Sequence, residues 1–376
     1  MKRTSIKNLL ILVFIITTFA IIYAYYRQQN PITEPQIIEK QPNIKGNPDK
    51  PYEVLLTNLN IPWEIVFLDN ESFLITERPG NVKIFKKEHL NNDYKLKNVF
   101  HFGEGGLLGA EKHPNFSQNK YLYFYFTYRE GVKILNKVER YKLNENTLEF
   151  DKVIIDQIPG AIYHDGGRIK FGPDNYLYIT TGDAGNANSA QDINQLSGKI
   201  LRLTDNGAIP KDNPFNNATY SYGHRNPQGL AWDKNNQLWI TEHGPSGVQS
   251  GFDEINKIIK GGNYGWPITK GDESYKDFIK PFIQSGEKDT WAPSGAVIVD
   301  EYLLFAGLRG SAIYKLNLNN RKLTEHFKNQ FGRIRTISLD PEGRLYILTS
   351  NRDGRGEPQE DDDKLIRLNK DYLLYN

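Results

Sequence analysis

The sequence predicts an all-β fold: a six-bladed β-propeller of four-stranded blades that follows one N-terminal transmembrane helix. Three observations predict it. A short two-strand pattern occurs six times, no segment after residue 50 carries a sustained helical period, and a single uncharged apolar run lies near the N-terminus. Short β-units repeated at intervals of roughly 40–65 residues are typical of propellers.

Composition narrows the possible functions. The 376 residues include 47 Lys and Arg against 45 Asp and Glu, which gives a formal net charge of +2. This balance argues against a nucleic-acid partner, because nucleic-acid binders need a strongly basic face. The chain has no cysteine, which excludes disulfides, thiolate metal sites and a cysteine nucleophile.

Residues 1–27 are predicted to form a signal anchor. Three basic residues precede an apolar run from Leu9 to Tyr26, and roughly 18 uncharged residues can cross a hydrocarbon core of about 30 Å. The best cleavage site, at Thr18–Ala20, lies inside the run, so an uncleaved anchor is favoured over a cleaved signal peptide. The basic flank places the N-terminus in the cytoplasm. We therefore expect the rest of the chain outside the cytoplasm, periplasmic or extracellular.

Residues 28–50 are rich in Pro, Gln, Asn and Lys and are interpreted as an extended polar tether. The propeller domain then covers residues 51–376. A strand at Tyr52–Thr57 is expected to close the ring by joining the last blade.

Each of the six copies is an apolar strand, a turn of Pro, Asp, Asn or Gly, and an aromatic-rich strand. The copies span residues 63–76, 106–124, 168–180, 228–241, 294–305 and 335–349. Aromatic residues favour pleated strands, and the turn residues favour tight connections between them. Four strands around a common axis per unit give a closed propeller with short edges.

The loops between strands carry the candidate chemistry. His164 opens one strand of the third copy and Asp183 follows the next, so the two side chains can meet across the hairpin. A carboxylate that accepts from one imidazole nitrogen leaves the other free to take a substrate proton. A histidine packed under a glycine-rich turn is the alternative.

Further polar groups lie in later loops. Arg225 and Asn226 are residue types that hold a carboxylate or an oxyanion, although they could equally satisfy loop backbone groups. Arg309, Arg333 and Arg335 add cations. Residues i and i+2 of a strand share a face, so Arg333 and Arg335 are expected to reach one space and to form, with Arg225, a pocket for a polyanionic small molecule.

These loops resemble the soluble glucose/sorbosone dehydrogenase family, whose members use pyrroloquinoline quinone (PQQ). The resemblance runs from about Ile61 to Leu368, and its most specific stretches are GEGGLLG at 103–109, HDGGR at 164–168, GHRNPQGL at 223–230 and GGNYGWP at 261–267. It implies an aldose sugar dehydrogenase that oxidises the anomeric carbon to a lactone with PQQ and Ca²⁺.

The resemblance also implies residue roles. His164 is the implied base, Asp183 its orienting carboxylate, and Arg225 and Asn226 the ligands of the quinone oxygens. The implied cations for the PQQ carboxylates are Arg309, Arg333 and Arg335. The implied protein ligands of the Ca²⁺ are the main-chain carbonyls of Gly244 and Pro245.

Two positions depart from the family pattern on the sugar side. Glu104 replaces the frequent Gln, and an ionised carboxylate can only accept hydrogen bonds, whereas an amide also donates. Tyr163 replaces the Asp of glucose-specific relatives. Both residues are expected to contact the sugar and to shift sugar preference.

Two other readings of the same fold stay open. One is an extracytoplasmic propeller that binds without turnover, and the other is a lactonase-type hydrolase with a carboxylate-rich metal cage in its channel. For the dehydrogenase, the expected electron acceptor is a quinone or another redox carrier near the membrane.

Overall fold

The computed structural model describes residues 50–245 and 250–375. The predicted signal anchor (1–27) and almost all of the tether (28–50) lie outside these residues. None of the helices formed by the described residues has the length and apolar character needed to cross a bilayer.

The described chain forms six four-stranded antiparallel sheets, which confirms the predicted six-bladed propeller. In the first three blades the strands are β2 (Pro62–Phe67), β3 (Ser72–Glu77), β4 (Asn81–Lys86) and β5 (His89–Lys95); β6 (Leu107–Lys112), β7 (Tyr121–Glu130), β8 (Lys133–Leu143) and β9 (Leu148–Pro159); and β10 (Ile169–Phe171), β11 (Leu177–Thr181), β12 (Lys199–Leu203) and β13 (Thr219–Tyr222).

The remaining blades follow the same order from the inner strand outward. They contain β14 (Pro227–Trp232), β15 (Leu238–Glu242), β16 (Glu254–Lys257) and β17 (Ile283–Gln284); β18 (Pro293–Val299), β19 (Tyr302–Gly307), β20 (Ala312–Asn317) and β21 (Leu323–His326); and β22 (Ile334–Leu339), β23 (Leu345–Thr349), β24 (Leu365–Leu368) and β1 (Tyr52–Leu56). Three short helices complete the described elements: α1 (Phe116–Asn119), α2 (Lys370–Tyr375) and a 3₁₀ helix at Ala187–Gln191.

The ring closes as the sequence predicted. Strand β1 pairs antiparallel with β24, with Tyr52 opposite Leu368, so the first strand of the domain becomes the outermost strand of its last blade. Because β24 starts on the face that carries the loop of residues 350–364, β1 enters from the opposite face. Closure through both ends of the domain leaves no inner edge exposed.

The six sequence copies correspond to the two innermost strands of the six blades. These strands are buried on both faces; in β11, for example, all five residues are buried. Apolar side chains of adjacent blades interlock, as where Leu304 and Ile313 pack with Ile337 and Ile347 in one cluster. Burial on two faces explains why the sequences of these strands are nearly continuous apolar runs and do not alternate between apolar and polar residues.

Polar side chains from the inner strands fill the centre of the ring. The guanidinium of Arg168 forms a buried ion pair with Glu64 and donates from Nε to the carbonyl of Gln228 at 2.8 Å. Its carbon lies 4.0 Å from the ring centre of Trp63. The arginine of the HDGGR motif therefore ties together three blades below the site and does not face the site itself.

Candidate active site

The predicted base and its carboxylate come from two loops at one end of the third blade. His164 precedes β10 and Asp183 follows β11, and the His164 Nδ1 lies 2.7 Å from Asp183 Oδ1. Asp183 is buried, and its Oδ1 also accepts from the Gly185 N–H at 2.9 Å. The prediction that these side chains meet across the hairpin is confirmed as geometry.

A tryptophan that was given no role in the sequence analysis completes this pair. The indole of Trp266, in the GGNYGWP motif, donates to Asp183 Oδ2 at 2.8 Å. Burial alone raises the pKa of Asp183, but the hydrogen bond and charge of His164, with smaller contributions from Gly185 and Trp266, bring the pKa below its ordinary value. Asp183 is therefore ionised and acts as the acceptor in its contact with His164 Nδ1.

The backbone of His164 is in the left-handed region, with φ of 64°. This conformation costs a non-glycine residue roughly 1–2 kcal/mol, and it persists only where the surroundings impose it. The His164 N–H donates to Glu104 Oε2 at 2.9 Å, and its carbonyl accepts from the Ala184 N–H at 3.2 Å. A Cβ on Gly182 would stand 1.8 Å from that carbonyl oxygen, so this position requires glycine.

Glu104 is held between His164 and an arginine from the far end of the chain. Its Oε1 accepts from Arg355 Nη1 at 2.6 Å. Burial alone raises the pKa of Glu104, but the charge of Arg355 and the His164 N–H bring it down to about 2. Sequence reasoning missed Arg355, because it belongs to no recognised motif and lies 251 residues from its partner.

Arg225 and Asn226 link the loops through their backbone as well as their side chains. The Arg225 carbonyl accepts from the Asp183 N–H at 2.8 Å, and its guanidinium carbon lies 5.4 Å from the Trp266 ring centre. Asn226 Oδ1 accepts from the Gly166 N–H at 3.0 Å. Arg225 and Asn226 are thereby fixed to the loops that carry the predicted base and its carboxylate.

A buried network underlies these two residues. Glu242 accepts from the Arg225 N–H, and its Oε2 lies 2.9 Å from His224 Nδ1. His224 Nε2 lies 2.8 Å from Ser221 Oγ. The order Ser–His–Glu is that of a hydrolase triad, but all three side chains are buried, so the network has a structural role.

The three predicted cofactor cations differ in their surroundings. Arg335 is buried, and its Nη1 donates to Gln228 Oε1 at 2.7 Å. Arg333 lies just before β22 and pairs with Asp353 at 2.8 Å, while Arg335 reaches the same carboxylate at 3.9 Å. Arg309 is exposed. Arg333 and Arg335 therefore approach one carboxylate, that of Asp353, which the sequence did not identify, but they line different cavities.

Two cavities adjoin these cations. An open one of about 540 Å³ is lined by Arg309, Arg333 and Arg355 among others. A narrow one of about 20 Å³ lies over Trp63 between His243, Gln228 and Arg335.

Two buried donors in the described part of this region have no partner, Asn226 Nδ2 and Arg335 Nε, and neither has His243 Nε2, a donor or an acceptor according to the tautomer. Burial also lowers the pKa of Arg335 to about 9. Unpaired buried donors are costly, so this site fits an anionic ligand rich in hydrogen-bond acceptors, such as a quinone tricarboxylate.

The predicted Ca²⁺ ligands lie beside this region. The Gly244 N–H donates to Asp253 Oδ1 at 2.8 Å, which fixes the turn that presents the Gly244 and Pro245 carbonyls. Residues 246–249 are outside the described part of the chain. Within that part no group of three or more His, Asp or Glu side chains could hold a metal. A cation here would depend on main-chain oxygens, a ligand type that suits Ca²⁺.

Tyr163 and Glu104, the predicted sugar contacts, flank the base. The Tyr163 ring is 53% exposed and its centre lies 6.4 Å from that of the His164 ring. The Arg355 guanidinium carbon is 5.7 Å from the same Tyr163 ring. The loop that carries His164 is thus flanked by a phenol, a carboxylate and a guanidinium.

Comparison with known proteins agrees with this geometry. The model of the glucose/sorbosone dehydrogenase family matches residues 59–367. An aldose sugar dehydrogenase of Escherichia coli is 33% identical, over 80% of this chain and 90% of that protein. The quinoprotein glucose dehydrogenase B of Acinetobacter calcoaceticus is 35% identical, over 60% of this chain and 53% of that protein. The PQQ-bound aldose sugar dehydrogenase of Streptomyces coelicolor superposes with a TM-score of 0.77 at 32% identity, covering 90% of this chain and 98% of that one.

Proposed function

The chain belongs to the glucose/sorbosone dehydrogenase family, and on that premise we propose that it is a PQQ-dependent aldose sugar dehydrogenase that oxidises the anomeric carbon to a lactone. The observation that carries the proposal is the His164–Asp183 pair, 2.7 Å apart, beside a region of unpaired buried donors. The first supplies a base, and the second suits an acidic, electron-accepting cofactor.

His164 would take the hydroxyl proton. Ionised Asp183 holds the Nδ1 proton, so Nε2 presents its lone pair to the anomeric hydroxyl, and the C1–O bond gains double-bond character as the C1 hydrogen leaves with its electron pair. When bound, PQQ would supply the acceptor for that hydride. Trp266 and Gly185 keep Asp183 ionised through the step by donating to its two oxygens.

The cofactor would be held by cations and amides of this chain. Arg309, Arg333 and Arg335 would neutralise its carboxylates, and Arg225 and Asn226 would bind its quinone oxygens, where negative charge develops on reduction. A Ca²⁺ held by the carbonyls of Gly244 and Pro245 would polarise the same oxygens as a Lewis acid. Two carbonyls are a minority of the six to eight oxygens that Ca²⁺ prefers, so cofactor and water would provide the others.

The sugar would lie between His164, Glu104 and Tyr163. Because Glu104 is ionised and already accepts from Arg355 and the His164 N–H, its remaining lone pairs would accept sugar hydroxyls. Tyr163 would offer a flat apolar surface for the pyranose ring. The electron acceptor would be a quinone or another redox carrier.

The two alternative functions have less support. A lactonase-type hydrolase would want a carboxylate-rich cage at the channel centre, but this position holds Arg168 paired with Glu64, and Arg335 above them. A binding module without turnover has no use for a base whose orienting carboxylate receives three hydrogen bonds.

Membrane anchoring by residues 1–27, with the propeller outside the cytoplasm, remains a proposal based on the sequence alone. Protease treatment of intact cells or spheroplasts tests it, because an outward-facing propeller is cleaved while a cytoplasmic control protein survives. Protection of the propeller until the cells are lysed would refute it.

Reconstitution is the test of the enzymatic proposal. The purified chain is titrated with PQQ, with and without Ca²⁺, and dye reduction is followed with a panel of aldoses. We expect turnover that needs PQQ and rises with Ca²⁺, and a chelator should remove the Ca²⁺-dependent part. Tight PQQ binding with no turnover of any aldose would favour the binding module, and absence of PQQ binding would overturn the cofactor assignment.

A further inference from the structure

Glu104 and Arg355 form an ion pair that connects two distant parts of the ring. Glu104 lies in the loop between β5 and β6, and Arg355 lies in the loop between β23 and β24. Their side chains are 18% and 50% exposed, and Glu104 Oε1 is 2.6 Å from Arg355 Nη1. The guanidinium is half exposed, and an ion pair open to solvent on one side adds little to stability, so its place beside the base suggests another role.

The second carboxylate oxygen of Glu104 connects this pair to the base. Glu104 Oε2 accepts from the main-chain N–H of His164 at 2.9 Å, and His164 has a left-handed φ of 64°. A hydrogen bond to an ionised acceptor is shorter and stronger than a neutral one. The carboxylate therefore restrains the main-chain N–H of His164. Its main-chain carbonyl is restrained by the hydrogen bond from Ala184 and by the close approach of Gly182.

Arg355 determines which oxygen of Glu104 is available. By engaging Oε1 it orients the carboxylate so that Oε2 faces the His164 N–H, and its charge lowers the pKa of the carboxyl. The Arg355 guanidinium carbon lies 5.7 Å from the ring centre of Tyr163, the residue before His164. Arg355 thus lies against Tyr163 directly and is connected to His164 through Glu104.

We propose that Glu104 and Arg355 act as one positioning unit: their ion pair holds the His164 backbone in the left-handed conformation that directs its imidazole to the reacting hydroxyl. Arg355 is a positioning residue, and Glu104 positions His164 through Oε2 in addition to the sugar contact proposed above; the catalytic consequence rests on the proposed dehydrogenase function. The departure from the family's frequent Gln at position 104 is then compensated by Arg355, because a carboxylate needs a cation where an amide needs none.

A measurement without cofactor or substrate tests the positioning directly. The chain has seven histidines, so ¹⁵N-histidine labelling of the full chain gives at most seven backbone amide signals, and loss of one signal in His164→Asn assigns the relevant peak. We expect Arg355→Ala and Glu104→Ala to move the His164 amide proton upfield and to speed its exchange with solvent. The matched control is Arg367→Ala, which removes an exposed arginine–glutamate pair on the outer strands and should leave the signal in place.

Turnover provides the second readout. If the unit orients the base, Arg355→Ala lowers kcat about tenfold, since small misplacements of reacting groups are costly, and leaves the aldose KM and the PQQ affinity within about twofold. Arg355→Lys should restore most of the loss. The double variant Glu104→Ala with Arg355→Ala should be no slower than the slower single variant, as expected for groups that act together.

Three outcomes would overturn the proposal. The first is an unmoved His164 amide in both variants. The second is a rise in the aldose KM of Arg355→Ala without a fall in kcat, which would mean that the pair binds sugar and does not orient the base. The third is that Arg355→Ala binds PQQ more weakly while the chemical shift of the His164 amide is unchanged, which would mean that Arg355 is a cofactor ligand. Because the amide readout needs neither PQQ nor sugar, it stands even if the proposed function fails.

Discussion

Trp266 donates its indole N–H to Asp183 Oδ2 at 2.8 Å, while the other oxygen of Asp183 engages His164. The two residues are 83 positions apart and belong to different blades. A carboxylate fixed at both oxygens cannot rotate away from the imidazole. The orientation of the proposed base is therefore determined by packing between blades as well as by the hairpin that carries it.

Trp266→Phe should raise the pKa of Asp183, because it removes one donor to the ionised form. The competent form is ionised, so activity is retained above this pKa and lost as pH falls through it. Because Trp266 makes the smallest of the contributions that lower this pKa, we expect the part of the acid limb that Asp183 contributes to move only slightly to higher pH and to stay far below neutrality. At neutral pH, kcat should fall about threefold to tenfold, the range for one neutral hydrogen bond, because Asp183 Oδ2 is no longer fixed.

The control for this change is Trp239→Phe, which removes a similar indole–carboxylate bond to Asp233 at 3.1 Å, away from the site. An acid limb or a neutral-pH kcat that changes equally in both variants would mean that the effect is general destabilisation.

His164→Asn should abolish most turnover and leave PQQ binding intact. Asn tolerates the left-handed backbone better than most residues, so the variant removes the imidazole with little added strain. A general base contributes typically 10²–10⁴-fold, and we expect a loss of kcat in this range, measured by dye reduction beside a PQQ titration. His326→Asn, on the outer strand β21, should behave as the parent; a His164→Asn enzyme with parental kcat would remove the base assignment.

Arg335→Met should weaken PQQ binding more than it affects folding. Hydrogen bonds to charged groups contribute about 1.5–3 kcal/mol, so the PQQ dissociation constant should rise about 10- to 100-fold. The guanidinium is buried beside Gln228, Ser294 and the Trp63 ring. Because Arg333 continues to pair with Asp353, we expect loss of the Arg335 guanidinium to lower the free energy of unfolding by less than the roughly 3–5 kcal/mol of an unpaired buried charge.

The matched variant is Arg344→Met, which removes an arginine paired with Asp340 at the opposite end of the inner strands. Its PQQ titration should coincide with that of the parent. An unchanged titration for Arg335→Met would refute its role as a cofactor cation.

Glu242→Gln should be destabilising. Glu242 lies against the buried His224 Nδ1 and accepts from the Arg225 N–H, and a buried polar group left without its partner costs about 1–3 kcal/mol. Chemical denaturation measures the change. Glu325→Gln is the control, because it breaks an exposed pair with Lys328 and should cost less than about 1 kcal/mol. Equal costs for the two variants would show that the Ser221–His224–Glu242 network is dispensable for folding.

The sequence by itself determined the ring of six blades and the two motif loops of the base. Six copies of one pattern need neighbours to bury both faces of their inner strands, which only a closed ring provides. His164 and Asp183 lie at opposite ends of one hairpin, so local strand pairing suffices to bring them together, and their meeting could be predicted without a structure.

Only the tertiary structure decided how distant blades complete the site. Arg355 and Trp266 reach Glu104 and Asp183 across blade boundaries, and no spacing along the chain encodes such contacts. Nor did the sequence separate the exposed Arg309 from the buried Arg335. The depth of a side chain depends on how far its strand extends into the channel, and this is determined when all six blades pack around one axis.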